Sequence, residues 1–457
     1  MQRTGRTRKG DPTRERIMPT EHDTKIHDKS TPPHPRIFYG WWIVSAGMTI
    51  HLWVSICWVY GMQVFFTPLA DAFGWSRALI SGAFALQRLE GSILTPLEGF
   101  LVDRIGPRPV VIAGGFFVGA GFILLSFTQN IWMFYVGTLV VSAGTSAAVG
   151  VPRTWAIVQW FTRMRGRVMG IGSSGAAISG PLLIIVVWLV SLEPKLWFDT
   201  GWGQAFFILG ITSWILIIPL AFVYRTKPED YGLLPDGDRP DPDKPITEQR
   251  GQAILTGLSG KEALLTPTFW ILILIFGIQT MPVNGLIVHL IPYLEGPDVG
   301  FSTLLAASVL GNFTVLSVIG RLGGGWITDY VDNRYVLGGL LACQAIGVFF
   351  LIQVSNNSSP DFWDTVPFAF FHGIAFGGMI PIRGILVSAY FGRKHFGFIS
   401  GLTQSGSMIG GIVAPVLLGW VFDEYTTYVP ALWVITIGVC VAIPLALILR
   451  VPRQMQD

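Results

Sequence analysis

The chain has 457 residues, of which 51% are hydrophobic and 13% charged, and a net charge of +3. Soluble domains carry about 25% charged residues, and so small a positive surplus gives no reason to expect a nucleic-acid partner. The composition excludes a string of ordinary soluble domains and points to apolar runs of about 20 residues, the length that spans a bilayer.

Residues 1–36 are rich in Lys, Arg, Asp, Thr and Pro, bury too little apolar surface to fold, and are expected to form a disordered cytoplasmic tail. The first apolar run begins near Phe38 and is too long for the apolar core of a cleaved signal peptide. Twelve helical spans are expected at about 39–66, 76–101, 109–128, 131–160, 165–191, 203–224, 267–293, 302–328, 334–354, 364–391, 396–422 and 428–449. Only helices fit, because backbone exposed to lipid must satisfy its own hydrogen bonds. The spans divide into an N-terminal six-helix bundle (37–224), a polar Pro/Gly-rich cytoplasmic linker (225–262), a C-terminal six-helix bundle (263–450) and a short tail (451–457). The expected fold is thus an all-α membrane protein of twelve transmembrane helices in two pseudo-symmetric bundles.

Lys and Arg set the orientation. Arg104, Arg108, Arg163, Arg165, Arg167, Arg334, Arg393 and Lys394 fall on one side with the linker, whereas the opposite loops are mostly acidic. Both termini are therefore expected on the cytoplasmic side, with the plasma (inner) membrane as the location.

Two patterns recur between the halves. Gly99-x-x-x-Asp103-Arg104-x-Gly106-x-Arg108 follows span two, and Gly325-x-x-x-Asp329 with Arg334 follows span eight, in the same register. Arg153, Phe161, Arg163, Gly166, Gly170, Gly175 and Gly180 recur as Arg383, Phe391, Arg393, Gly397, Gly401, Gly406 and Gly411. Glycines at such spacing let helices pack closely. Asp103, Arg104, Gly106 and Arg108, with Asp329 and Arg334, are expected to gate access by pairing or by meeting helix ends; the alternative is that these charges only set topology.

Ionisable residues inside spans are costly and usually functional. Arg153, Arg321 and Arg383 each lie eight residues before a cytoplasmic landmark (Phe161, Asp329 and Phe391), hence about 12 Å inward at 1.5 Å per residue. Three guanidinium groups at one depth suit a small organic anion, carboxylate above all; alternatively, each satisfies backbone carbonyls or snorkels. Glu90, His51 and His372 are candidates for proton coupling, and His51 also for substrate contact, against ion-pair or packing roles. Arg88, two residues from Glu90, points to another side of its helix and is expected to have its own partner. Cys57, Cys343 and Cys440 lie in apolar runs as small hydrophobes. Metal-ligand spacings, a phosphate-binding Gly loop with Lys-Ser/Thr and clustered catalytic residues are all missing from the sequence, so no metal, cofactor or enzymatic activity is expected.

The loop Gly99-Phe-Leu-Val-Asp103-Arg104-Ile-Gly106-Pro-Arg108 resembles the signature of the major facilitator superfamily between spans two and three. Tyr39-Gly-Trp-Trp42, Trp160-Phe161 before Arg165-Gly166, and Lys227-Pro-Glu-Asp-Tyr-Gly-Leu-Leu-Pro-Asp-Gly237 resemble its monocarboxylate porter and oxalate/formate antiporter branch. The resemblance implies secondary transport by alternating access, with the loop motif stabilising the outward-facing state and Arg321 at the position of a substrate-anion arginine. Tyr60 stands where the animal-type porters have a lysine, and Ser317 where they have an acid, which puts lactate-type proton symport in doubt. The reading is a monomeric, lipid-embedded transporter of a mono- or dicarboxylate, proton-coupled or exchanging. A drug/proton antiporter is the alternative suggested by Gly180-Pro181 and Ala414-Pro415, and a non-transporting sensor or scaffold is the alternative of another class.

Overall fold

In a computed structural model the described residues are 37–75, 77–179, 181–192, 198–238 and 257–452. The expected tail 1–36, the middle of the linker (239–256), Gly180 and Lys195 lie outside them. The described chain is helical, with a single isolated bridge between Gly257 and Gly392.

Span one runs from Gly40–Val54 through a π turn at Ser55–Val59 into Met62–Phe73. Span two is Arg77–Ile105 and span three Pro107–Ser126. Span four is broken into Ile131–Val149 and Val151–Trp160 where Pro152 removes an amide donor. Span five, Arg165–Ile178, continues after a break as Ile184–Val190, and span six is Gly201–Ala221. The second set comprises Pro267–Glu295, Thr303–Ile327, Asn333–Asn356, Val366–Phe391, Phe396–Tyr425 and Val429–Leu447, spans seven to twelve. Polar caps start several of these helices where loops end: Asn130, Thr200, Thr266 and Ser302 each accept from an amide three residues on.

Among the described residues, 10 helices are long and apolar enough to cross a membrane. The other two are span two, whose apolar run is diluted by Arg88, Glu90, Glu98, Asp103 and Arg104, and span five, which is broken into short pieces. Large apolar side chains such as Ile184, Ile215, Leu304 and Val416 are more than two-thirds exposed. In water they would be an aggregation surface, whereas in hydrocarbon they face a matching solvent.

Span three packs on spans four and six, and span eight on span ten, while span seven lies against span eleven. Two further crossings join the first set of spans to the second: span two meets span eleven, and span five meets span eight.

Candidate functional site

The two crossings are built from the recurring glycines. At Gly99 a Cβ would collide with the Gly397 carbonyl, and at Gly325 with the Gly166 carbonyl. Only hydrogen at these positions lets the backbones touch. One turn further along each helix an aspartate reaches the N-terminus of the facing span. Asp103 accepts from the amides of Gly397 (3.0 Å) and Phe398 (2.9 Å) and from Trp155 Nε1 (2.8 Å). Asp329 accepts from the amides of Gly166 (2.8 Å) and Arg167 (3.3 Å) and from Arg167 Nε (3.0 Å). Each carboxylate thus satisfies orphan donors at the positive end of a helix dipole.

The arginines that close the motif also correspond. Arg108 donates to the Phe222 carbonyl at 2.6 Å, at the end of span six, and Arg334 to the Leu449 carbonyl at 3.4 Å, at the end of span twelve. Gly106 takes a positive φ of 82° at the turn into span three; Asp332 occupies the matching turn before span nine and pairs with Arg334 at 2.7 Å. Burial pushes the Arg393 guanidinium, in the loop before span eleven, below its ordinary value, opposed by Glu229 at 3.2 Å. Arg104 is exposed. Most hydrogen bonds between the two sets of spans cluster at this end, including Arg165 to Ser388 and Gln159 to the Arg393 carbonyl.

Farther along the spans lies a cavity of about 320 Å³ lined by Arg153 and Thr154 from span four, Gln279, Thr280 and Asn284 from span seven, Phe376 and Arg383 from span ten, and Ser400 and Gln404 from span eleven. A second lobe of about 180 Å³ shares Thr280, Asn284, Arg383 and Gln404 and adds Arg88 and Ser407. Among the described residues, three arginines line the two lobes and no Asp or Glu does.

Each guanidinium is held differently. Arg383 donates to Gln279 Oε1 at 2.5 Å, Thr280 Oγ1 at 2.6 Å and Ser407 Oγ at 3.3 Å, with the Phe276 ring 5.2 Å from its carbon. Arg153 donates to the Gly172 carbonyl at 2.6 Å and meets His51 Nδ1 at 2.6 Å, so Nδ1 must be the acceptor and the ring proton sits on Nε2. Its Nε has no partner. Arg88 donates to Asn284 Oδ1 at 3.1 Å, a bond between spans two and seven.

Arg321 stands outside the lining of both lobes. It is 2% exposed, donates to the Ser173 carbonyl at 3.0 Å, and has the Tyr60 hydroxyl as its neighbour. The structure thus brings together Arg321 with Tyr60, and Arg153 with His51, while Arg153 and Arg383 share the cavity. His372 is elsewhere: it is buried between Phe368 and Phe313, with centroids 5.2 Å and 5.5 Å away. Glu90 lies beside Ser142 with one oxygen unpartnered.

Sequence reasoning missed three features. Arg88 has a partner of its own, Asn284, as its spacing from Glu90 implies, but its place in the cavity lining carried no signal. Gln279 and Thr280, which hold Arg383, carried no signal in an apolar run. Glu98, 6% exposed in span two, was legible by the same rule that picked out Glu90, since both are acids inside a span.

Comparison with known proteins supplies the family context. The family described as Major Facilitator Superfamily matches residues 48–368 and 313–456. The uncharacterized MFS-type transporter YcxA of Bacillus subtilis is 26% identical over 84% of this chain and 89% of its own. The oxalate:formate antiporter of Oxalobacter formigenes is 25% identical over 80% of this chain and 84% of its own. Monocarboxylate transporter 13 of Rattus norvegicus is 23% identical over 85% and 84%. Among solved structures, the proton:xylose symporter XylE bound to 6-bromo-6-deoxy-D-glucose superposes with a TM-score of 0.68 at 14% identity, covering 89% of this chain and 94% of that one, and so shares the fold.

Proposed function

The chain belongs to the major facilitator superfamily and is an integral, multi-pass membrane transporter rather than an enzyme, and from that premise we propose that it carries a small organic anion, a mono- or dicarboxylate, by alternating access. The observation that carries this reading is the lining of one two-lobed cavity by Arg88, Arg153 and Arg383, with no Asp or Glu among the described lining residues. Uncompensated guanidinium groups below hydrocarbon depth favour an anionic visitor, and their planar forks suit carboxylate. Arg153 is contributed by one set of spans and Arg383 by the other, so an anion held by both senses their relative position. Residues 37–224 and 263–450 act as two six-helix bundles rocking about this site, with both termini cytoplasmic and the Asp103 and Asp329 crossings forming the cytoplasmic gate. His51 orients Arg153, and Arg321 with Tyr60 extends the basic cluster beyond the cavity wall.

Relatives named as an oxalate:formate antiporter and a monocarboxylate transporter support the substrate class. The test is flux of radiolabelled carboxylates into proteoliposomes, with and without a pH gradient. Uptake by the wild type and its fall by about 100-fold or more in an Arg153→Gln/Arg383→Gln protein, two charge-assisted contacts at about 1.5–3 kcal/mol each, are expected. Undiminished carboxylate uptake in that double variant refutes the assignment.

A further inference from the structure

Glu98 is the most deeply buried carboxyl group of span two, and its surroundings are incomplete in a specific way. Its Oε2 accepts from Ser146 Oγ of span four at 2.7 Å, while Oε1 is buried with no hydrogen-bond partner. A carboxylate held so would leave one oxygen of an anion desolvated and unpaired, which is among the costliest arrangements a fold can hold.

Among the described residues, the charged and titratable groups around it do not supply a counter-ion. On span two itself the charged neighbour is Glu90, also an acid and also with an unpartnered oxygen. Span four offers the hydroxyls of Ser142 and Ser146; its Arg153 is turned to His51 and Gly172. The N-terminal amides of span eleven, and His395 before it, face Asp103 instead. Arg108 at the start of span three is committed to the Phe222 carbonyl, and Asp71 on the helix preceding span two is exposed. Arg88 points into the cavity toward Asn284.

The position of Glu98 matters as much as its partners. It directly precedes Gly99, the contact point with Gly397 that must separate when this end opens, and stands five residues before Asp103. Glu90, two helical turns back, lies near the level of Arg88 and the cavity. A line of two acids, each with a serine of span four beside it, therefore runs from the cavity toward the gate.

We propose that Glu98 is a proton-binding site, occupied while the Gly99–Gly397 crossing is closed and emptied to water when it parts, with Glu90 as the group through which the proton arrives. The step moves one proton and no electrons: Glu90 releases a proton, water carries it along about 12 Å of helix between the two acids, and Oε1 of Glu98 takes it and later gives it to water on the gate side. This makes the carrier proton-coupled, and its coupling role rests on the transport reading above; the bound proton itself does not.

Two measurements separate the proposal from that reading. In reconstituted, substrate-free protein at near-neutral pH, infrared spectroscopy is expected to show a carboxylic C=O stretch that persists in Glu90→Gln and disappears in Glu98→Gln. Glu98→Asp, which keeps the carboxyl, retains the band and serves if the Gln variant does not fold. In proteoliposomes, Glu98→Gln is expected to lose about tenfold or more of the stimulation that an imposed pH gradient gives to carboxylate uptake, while substrate exchange without a gradient stays within about threefold of wild type, since an intramembrane acid is needed for the proton alone. Survival of the carboxylic band in Glu98→Gln, or undiminished gradient stimulation, overturns the proposal. A protein that moves no carboxylate yet loses the band in Glu98→Gln refutes the substrate class and leaves the proton site standing.

Discussion

The crossing of span two on span eleven and that of span eight on span five share a backbone plan and differ in charge. In both, a glycine touches a glycine and an aspartate one turn on captures helix N-terminal amides. Asp103 adds a neutral third donor, Trp155, whereas Asp329 adds a cation, Arg167, with its guanidinium nitrogen at 3.0 Å. The sequence register explains the difference. Phe398 follows Gly397 where Arg167 follows Gly166, and Ile385 of span ten stands where Trp155 stands in span four. The repeat preserves the close approach and the amide capture, which depend on backbone; it does not preserve side-chain compensation. The two locks are thus alike in shape and unequal in electrostatics.

Substituting the touching glycines is the strongest way to break the comparison, because it removes what the two crossings share. Gly99→Val and Gly325→Val each place side-chain atoms on facing backbone carbonyls that have nowhere to move. Both are expected to lower transport more than about tenfold, since overpacking costs about 1–3 kcal/mol of the closed state. Gly323→Val, in the same stretch of span eight but with open space around its Cβ, is expected to keep at least half of wild-type flux. With Cys57, Cys343 and Cys440 replaced, labelling of Ser400→Cys by an impermeant thiol reagent from the aspartate side should rise in both valine variants. Equal flux in all three variants would mean that these crossings do not govern access.

Removing one charge at a time sharpens the difference. Asp329→Asn breaks an ion pair and replaces one amide acceptor, whereas Asp103→Asn keeps its oxygen for Trp155 and Gly397 and loses only the Phe398 bond. Hydrogen bonds to charged groups are worth about 1.5–3 kcal/mol, so the closed state should be weakened about tenfold or more by Asp103→Asn, which loses one such bond, and further by Asp329→Asn, which loses two. The same labelling assay reads both. The reverse ranking would show that the neutral lock is the stronger one.

These contrasts also mark what the residues alone could reveal. The glycine and aspartate pattern points to close helix packing and to a meeting with helix ends, but which spans meet is not legible from it. For the three arginines the spacing sets an expected depth but not the rotation about the helix axis. Arg153 and Arg383 turn into the cavity, while Arg321, at the same expected depth, turns to the Ser173 carbonyl and Tyr60. Span eight packs so closely on span ten through Gly320 and Gly324 that its face is set by those glycines rather than by the arginine. Gln279 and Thr280 show the complementary limit: one polar residue in an apolar run gains meaning only from the guanidinium that meets it.

The smallest expected effect concerns the turns behind the two locks, where Gly106 and Asp332 occupy matching positions. Gly106 solves its turn by conformation, with φ at 82°, and carries no charge to lose. Asp332 solves its turn by capping span nine and pairing with Arg334, whose hydrogen bond, ahead of the opposing effect of burial, holds the Asp332 carboxyl below the usual carboxylate range. A depressed folded-state value means that the stabilisation is fully present above the unfolded value of about 3.9 and is lost as pH falls through the lower folded value. Asp332→Asn keeps a capping oxygen and deletes the charge, so it isolates the ion pair. The Asp332 side chain is 44% exposed and solvent screens the pair, so the variant should lower the Tm of detergent-solubilised protein by only about 2 °C at neutral pH, with the gap closing in acid as the Asp332 carboxyl protonates. Gly106 has no titrating partner, so Arg108→Gln should show the same loss at both pH values. A pH-dependent gap for Arg108→Gln, or a constant one for Asp332→Asn, would show that the two turns are held by the same force after all.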